Sequence, residues 1–220
     1  MSEGGLVITL AIVNKAPRAK GPGMVVRERG KGASGTLLLA VTEATTRRSA
    51  QACEQIASAI QGAKRNDSTA LTTQLMAGIE DAHRALVGAN GRTAGSEPVA
   101  AGVSCALIKG PQALLAQAGP GLAYWLNGEE LTASAPDLSL AGPKSNALGL
   151  ARKLHIHLNR CTLEPGATLL LATSPLAQLV TGRELQKLLA EELATAAQRL
   201  YRRVRELPNF AAILYRQGGP

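Results

Sequence analysis

Residues 169–180 read LLLATSPLAQLV. An apolar run, Leu169 to Ala172, ends at Thr173-Ser174-Pro175, and a new apolar turn opens at Leu176. Short apolar runs bounded by turn residues read as strands. Thr168–Ala172 is therefore expected to be a strand that stops abruptly, the usual setting for a site at a strand end. This stop carries no carboxylate, histidine or cysteine.

Downstream, Thr181-x-x-Glu184 has the spacing of a capping box. An apolar stripe follows through Leu185, Leu188, Leu189, Leu193, Ala196, Ala197, Leu200 and Val204. It predicts one helix or two, stopped by Pro208, with a closing strand over Phe210–Tyr215. Upstream, β-rich runs at Leu6–Val13, Met24–Arg29 and Thr36–Val41 are separated by Gly/Pro turns. The stretch Gly30–Thr36 looks superficially like a phosphate loop. It lacks the Gly-Lys-Thr order and leads into a strand, so a hairpin turn is expected.

Two helices are predicted next. One covers Arg47–Gln61 with Ala52, Cys53, Ile56, Ala57 and Ile60 on one face. The second starts at Ser68, a suitable N-cap, and carries Leu71, Leu75, Ile79, Ala82 and Leu86. Asn90–Ser96 reads as a loop. Strands return at Ala101–Lys109, Ala113–Ala118 and Leu122–Leu126, with turns at Gly110-Pro111 and Asn127-Gly128. Ala133–Leu150 reads as irregular, and Leu154–Cys161 as a further strand. Clustered strands and paired helices, without strand–helix alternation or an internal repeat, predict one α+β domain over residues 1–220.

Composition narrows the function. Hydrophobic residues make up 45% and aromatics 2% of 220 residues, so the core must be packed with Leu, Ala, Val and Ile. Net charge is +8, which attracts acidic proteins, nucleic acid or anionic lipid. The scarcity of aromatics argues against nucleic-acid modules that stack bases. Cys53, Cys105 and Cys161 are odd in number and widely spaced, which predicts buried thiols in a reducing compartment. The Leu6–Val13 run is too short to span a bilayer. The expectation is a cytoplasmic protein without a membrane segment.

Several motifs line up with one family. Leu169–Leu176 resembles the signature LLLCSDGL of the type 2C (PPM) metal-dependent serine/threonine phosphatases, with Ser174 at the aspartate. Val41–Arg47 is similar to VADGMGG, with Glu43 at the aspartate. Gly119–Trp125 is similar to GDSRAYL, with Pro120 in the second place. Pro208–Tyr215 resembles DNITVIVV, and Arg18–Gly23 resembles R-x-x-N-E-D, with Gly23 last. The likeness extends from about Leu6 to Tyr215. It implies a four-layer α-β-β-α sandwich of two antiparallel sheets flanked by helix pairs.

In that family two divalent metals, held by aspartates, activate a water that attacks phosphorus. Hard cations need anionic oxygen ligands. This chain has three aspartates, Asp67, Asp81 and Asp137, and the resemblance puts none of them at a ligand position. The degenerate positions are Gly23, Glu43, Pro120, Ser174 and Pro208, with Glu43 the sole carboxylate among them. The resemblance therefore implies no catalytic residue, no metal and no other cofactor: a pseudophosphatase that binds or scaffolds a protein partner, such as a signalling component, or a second copy of itself. The alternatives are a surviving phosphoserine/phosphothreonine phosphatase and a basic anion- or nucleic-acid-binding protein. The family uses an arginine at the position of Arg18 to bind substrate phosphate, so Arg18, with Arg47 and Arg48 beside Glu43, is the candidate anion site.

Other chemistry is thin. His155-x-His157 would present both imidazoles on one strand face, but no third ligand is evident. Ser104 and Cys105 lie in an apolar strand and are expected in the core. His83 is expected to be a partly exposed helical residue. Arg199, Arg202, Arg203 and Arg205 form a basic ridge on the last helix, read as a solvated face.

Overall fold

Leu169–Leu171 is apolar throughout because both of its faces are covered. The computed structural model describes residues 5–30, 35–45, 49–62, 70–92, 97–134 and 146–218. Its elements, in chain order, are β1 (Leu6–Val13), β2 (Ala16–Arg18), β3 (Val25–Arg29), β4 (Thr36–Ala44), α1 (Ser49–Gly62), α2 (Leu71–Arg92), β5 (Ala101–Lys109), β6 (Gln112–Ala118), β7 (Leu122–Asn127), β8 (Glu130–Ser134), β9 (His157–Thr162), β10 (Thr168–Ala172), α3 (Leu176–Leu179), α4 (Gly182–Ala190), α5 (Leu193–Val204) and β11 (Asn209–Arg216).

The strands form two antiparallel sheets, ordered β2-β1-β11-β10-β7-β8 and β3-β4-β5-β6-β9. Strand β10 lies inside the first, between β11 and β7. Alternate side chains of a strand point to opposite faces. Leu169 and Leu171 accordingly pack with Leu39, Val41, Ala106 and Leu115 of the other sheet. Leu170 and Ala172 pack with Leu185, Leu189 and Leu200 of α4 and α5. On the far side, Ile56, Ile60, Leu75 and Ile79 of α1 and α2 cover Leu38, Ala40, Val103 and Cys105. The result is the four-layer α-β-β-α arrangement implied by the resemblance. Alanines on facing strands, among them Ala11, Ala106, Ala113 and Ala211, fill the space between the sheets without large rings.

Most sequence-predicted elements recur within a residue or two. The stripe after Thr181 resolves into α4 and α5, and the capping box forms as expected: the Thr181 hydroxyl accepts from the Glu184 N–H and the Glu184 carboxylate accepts from the Thr181 N–H. The anticipated N-cap Ser68, Asp67 and Asp137 lie outside the described residues. So do residues 31–34 of the glycine-rich turn, although the antiparallel pairing of Arg29 with Thr36 fits a hairpin.

Some boundaries differ. Helix α2 runs through Arg92, past the expected loop start at Asn90, because the Asn90 side chain bonds both the N–H and the carbonyl of Val99 and also the carbonyl of Gly149. Strand β8 is not predicted from the sequence, and its last two residues, Ala133 and Ser134, fall in the segment expected to be irregular; pairing with β7 makes it a strand. Strand β9 starts at His157 rather than Leu154. Before it, the Asn146 side chain bonds both backbone groups of His155, while Leu154 and Ile156 pack against the α1–α2 side of the core. Both histidines are exposed.

His83 does more than sit on a helix. Its Nδ1 accepts from the Gly149 N–H at 3.1 Å, so that nitrogen must be unprotonated. Burial, and then the neighbouring Arg84, lower its pKa. A lowered histidine pKa means that the unfolded chain takes the proton more readily. The stabilisation is therefore fully present above the unfolded value of about 6.5 and declines below it, and the bond itself is lost as pH falls through the lower folded value. Hydrogen exchange at the Gly149 amide, corrected for intrinsic rate, is expected to accelerate on acidification in the wild type and to be pH-independent in His83→Gln.

The β1–β2 hairpin turns on two residues, Asn14 (φ 52°) and Lys15 (φ 64°), both in the left-handed region. Two-residue hairpin loops favour asparagine followed by glycine in that conformation. Lys15→Gly is expected to raise stability by about 1 kcal/mol, read as a shift in the urea midpoint at unchanged slope.

Candidate functional site

Strand β4 continues three residues beyond the expected Val41. Thr42, Glu43 and Ala44 pair with Val103, Gly102 and Ala101 of β5, which brings Glu43 to the end of its sheet. The chain leaving β10 in the other sheet brings Thr173 and Ser174 to the same end. The two meet: Glu43 Oε2 accepts from the Ser174 N–H and from the Ser174 hydroxyl, both at 2.9 Å. This contact ties the sheets together across 131 residues of sequence.

A cavity of about 420 Å³ opens beside it. Glu43 and Ser174 line it, with Thr42 from β4, Ser49 and Cys53 from α1, and Asn209 from β11. Apolar parts of Ile12, Pro22 and Phe210 complete its walls. Two sheets ending together and a helix beginning there leave a concave space of the size that holds small ligands or side chains.

Electrostatically the wall is sparse. Glu43 is the one charged residue among the described lining residues. Burial, only partly offset by the two bonds from Ser174, pushes its carboxyl pKa upward. Its Oε1 is shielded from solvent and has no hydrogen-bond partner among the described residues. Burial also raises the Cys53 thiol to about 11, so it is protonated and not nucleophilic near neutral pH.

The positions flagged by the resemblance gather here unevenly. Glu43 and Ser174 are in direct contact. Gly23 lies just behind the wall: its carbonyl is 3.3 Å from the Thr42 hydroxyl, which donates to it. A Cβ at Gly23 would fall 1.7 Å from Thr42 Oγ1, and the backbone there has φ +73°. A carboxylate-bearing side chain has no room at that position. Pro208 flanks the lining residue Asn209 and is itself exposed; its carbonyl accepts from the Lys15 N–H. Pro120 is buried, its carbonyl packed against Gly102, the strand partner of Glu43.

A pair of Mg²⁺ or Mn²⁺ ions needs several anionic oxygens between them. One carboxylate, already engaged by Ser174, with neutral hydroxyls and a protonated thiol, does not fit such a centre. Among the described residues no group of three or more His, Cys, Asp or Glu side chains has metal-site geometry. Asp81 is on an exposed face of α2, paired with Arg84.

The expected anion site is not assembled by the described residues. Arg18 is exposed on β2 and does not line the cavity. Arg47 and Arg48 lie outside the described residues. Ser104 and Cys105 are fully buried, as expected. On the α5 ridge, Arg199, Arg203 and Arg205 pair with Glu191, Glu184 and Glu206, an exposed and largely neutralised face. Among the wall residues missed from sequence are Asn14, Thr42 and Ser49. The one usable signal for Ser49 was its place at the start of a helix directly after the Glu43 segment.

Two antiparallel sheets, outer helix pairs and a cleft where β4 and β10 end together define the fold of the type 2C serine/threonine phosphatases. Among solved structures the chain is similar to "PppA, a key regulatory component of T6SS in Pseudomonas aeruginosa", with TM-score 0.74, 19% identity and 97% of each chain covered. It is also similar to the Mycobacterium tuberculosis serine/threonine phosphatase PstP/Ppp, with TM-score 0.70, 17% identity and 97% and 99% of the two chains covered. The S. agalactiae serine/threonine phosphatase matches with TM-score 0.73 and 13% identity over 98% of this chain and 100% of that one. No family model and no curated protein matches the sequence.

Proposed function

We propose that this chain is a non-catalytic type 2C phosphatase-like module that binds a protein partner in a regulatory role. The observation that carries this reading is the state of Glu43. At the strand ends where metal chemistry would need a ring of carboxylates, the described wall offers one, turned to hold the two sheets together through Ser174. The apolar frame around it is complete. Such a chain keeps the cleft's shape and gives up the means of activating water.

The similarity to PppA, whose structure is described as that of a regulatory component, supports a regulatory role by analogy of fold. Among the described residues no helix is long and apolar enough to cross a membrane. The partner is read as a protein of the signalling kind.

The test is hydrolysis of phosphoserine and phosphothreonine peptides with and without Mn²⁺. Release of phosphate is expected to stay at the buffer rate in both. Manganese-dependent turnover that disappears in Glu43→Ala would overturn the reading in favour of a surviving phosphatase.

A further inference from the structure

We propose that the cleft beside Glu43 receives a cationic side chain, an arginine or lysine, presented by the protein partner. The proposal rests on the reading that the cleft does not assemble paired metals, and it names what the cleft holds instead.

Three observations lead to it. The space is about 420 Å³, with apolar walls at Ile12, Pro22 and Phe210 able to cover an aliphatic stem. The one charge on the described wall is negative. Among the described residues that carboxylate is half satisfied: Oε2 takes both donors of Ser174, while Oε1 has none. An orphaned carboxylate oxygen in a desolvated position is costly, and a donor brought to it recovers that cost. Glu43 lines the cavity, so a guanidinium or ammonium N–H entering it comes up against a carboxylate whose second oxygen still lacks a donor among the described residues.

A second carboxylate reinforces the sign. Glu54 on α1 accepts from the Gly23 N–H at 3.3 Å, behind the segment that contributes Pro22 to the wall. Lys15, Arg18 and Lys20 are exposed on the neighbouring hairpin and do not line the space. Lys15 and Lys20 adjoin the lining residues Asn14 and Gly21, so a guest approaches past exposed positive charge before it reaches Glu43. This favours a single cation flanked by neutral or acidic residues over a polybasic tract. Phosphate, the anion for which the surrounding fold is shaped, finds no cation on the described wall and meets Glu43 instead.

The experiment is an NMR titration of the folded chain, read at the backbone amides of Glu43 and Ser174. The probes are an acetylated, amidated tripeptide Gly-Arg-Gly, the same peptide with citrulline for arginine, and inorganic phosphate. Citrulline keeps the length and most donors and removes the charge. The arginine peptide is expected to give saturable shifts at both amides, and citrulline to bind about tenfold more weakly. Glu43→Gln is expected to weaken the arginine peptide by a similar factor.

Ser174→Ala supplies an opposite sign. It frees Oε2 from its hydroxyl donor, so the guest is expected to bind about threefold more tightly. Equal binding of the two peptides, an unaltered affinity in Glu43→Gln, or phosphate shifting these amides where arginine does not would each overturn the proposal. Mn²⁺ displacing the arginine peptide from Glu43 would do the same. Phosphatase turnover, by contrast, bears on the loss of catalysis and leaves the peptide titration to be read separately.

Discussion

Gly23→Asp, the substitution that would write an aspartate back into the R-x-x-N-E-D position, is expected to unfold the chain rather than restore a metal ligand. A Cβ there would lie 1.7 Å from Thr42 Oγ1, 2.7 Å from Cys53 Cβ and 2.9 Å from the Cys53 carbonyl. The two Cys53 atoms are fixed by α1 and cannot move without shifting the helix, and the Thr42 hydroxyl could turn away only by giving up its bonds to the Gly23 and Cys53 carbonyls. The backbone is also in the left-handed region. Overpacking and backbone strain together are expected to cost about 4 kcal/mol or more, a large part of the stability of an ordinary domain.

Gly110→Asp is the control. Its φ is +55°, yet nothing lies within 4 Å of the added Cβ, so only the backbone penalty of about 1 kcal/mol should appear. Urea unfolding followed by circular dichroism separates the two. Equal losses at both sites would mean that packing at Gly23 is not the obstacle.

The second large effect tests the four layers. Leu170 and Leu171 are neighbours on β10 and face opposite ways, one towards α4 and α5 and the other towards the second sheet. Leu170→Ala and Leu171→Ala are each expected to cost about 3 kcal/mol, the middle of the range for truncating a buried leucine. In a sheet covered on one face only, one of the two would be nearly free. Thermal or urea midpoints of the two single variants decide this, and a difference above about 2 kcal/mol between them would contradict a doubly covered sheet.

Much of this fold could be read from local pattern. Leu6–Val13, Ala101–Lys109 and Thr168–Ala172 were bounded correctly because each is an apolar run closed by a turn residue or a glycine. The faces of α1 and α4–α5 followed from helical spacing. Strand β8, ELTAS, carries no such run. It is a strand because β7 offers it a partner, and that is tertiary information.

The site was legible in a different way. Glu43 and Ser174 were identified as unusual residues at corresponding places in a family pattern. That one donates two hydrogen bonds to the other could not be read, because nothing local links residues 131 apart. The crowding behind Gly23 was equally hidden. Its cause is Thr42 and Cys53, on two other elements. The resemblance to the type 2C family implies a cleft position for Arg18. The short β2 strand instead carries it on the exposed outer edge of the six-stranded sheet.

Strand β11 pairs with β1 on one side and with β10 on the other. During synthesis, β1 therefore waits for a neighbour made roughly two hundred residues later. Until Asn209–Arg216 has left the ribosome, the six-stranded sheet is divided, and one wall of the cleft, at Asn209 and Phe210, does not exist. Prematurely ended copies would thus lack a complete cleft, and a partner that recognises this surface would engage only molecules whose translation had run to that last strand.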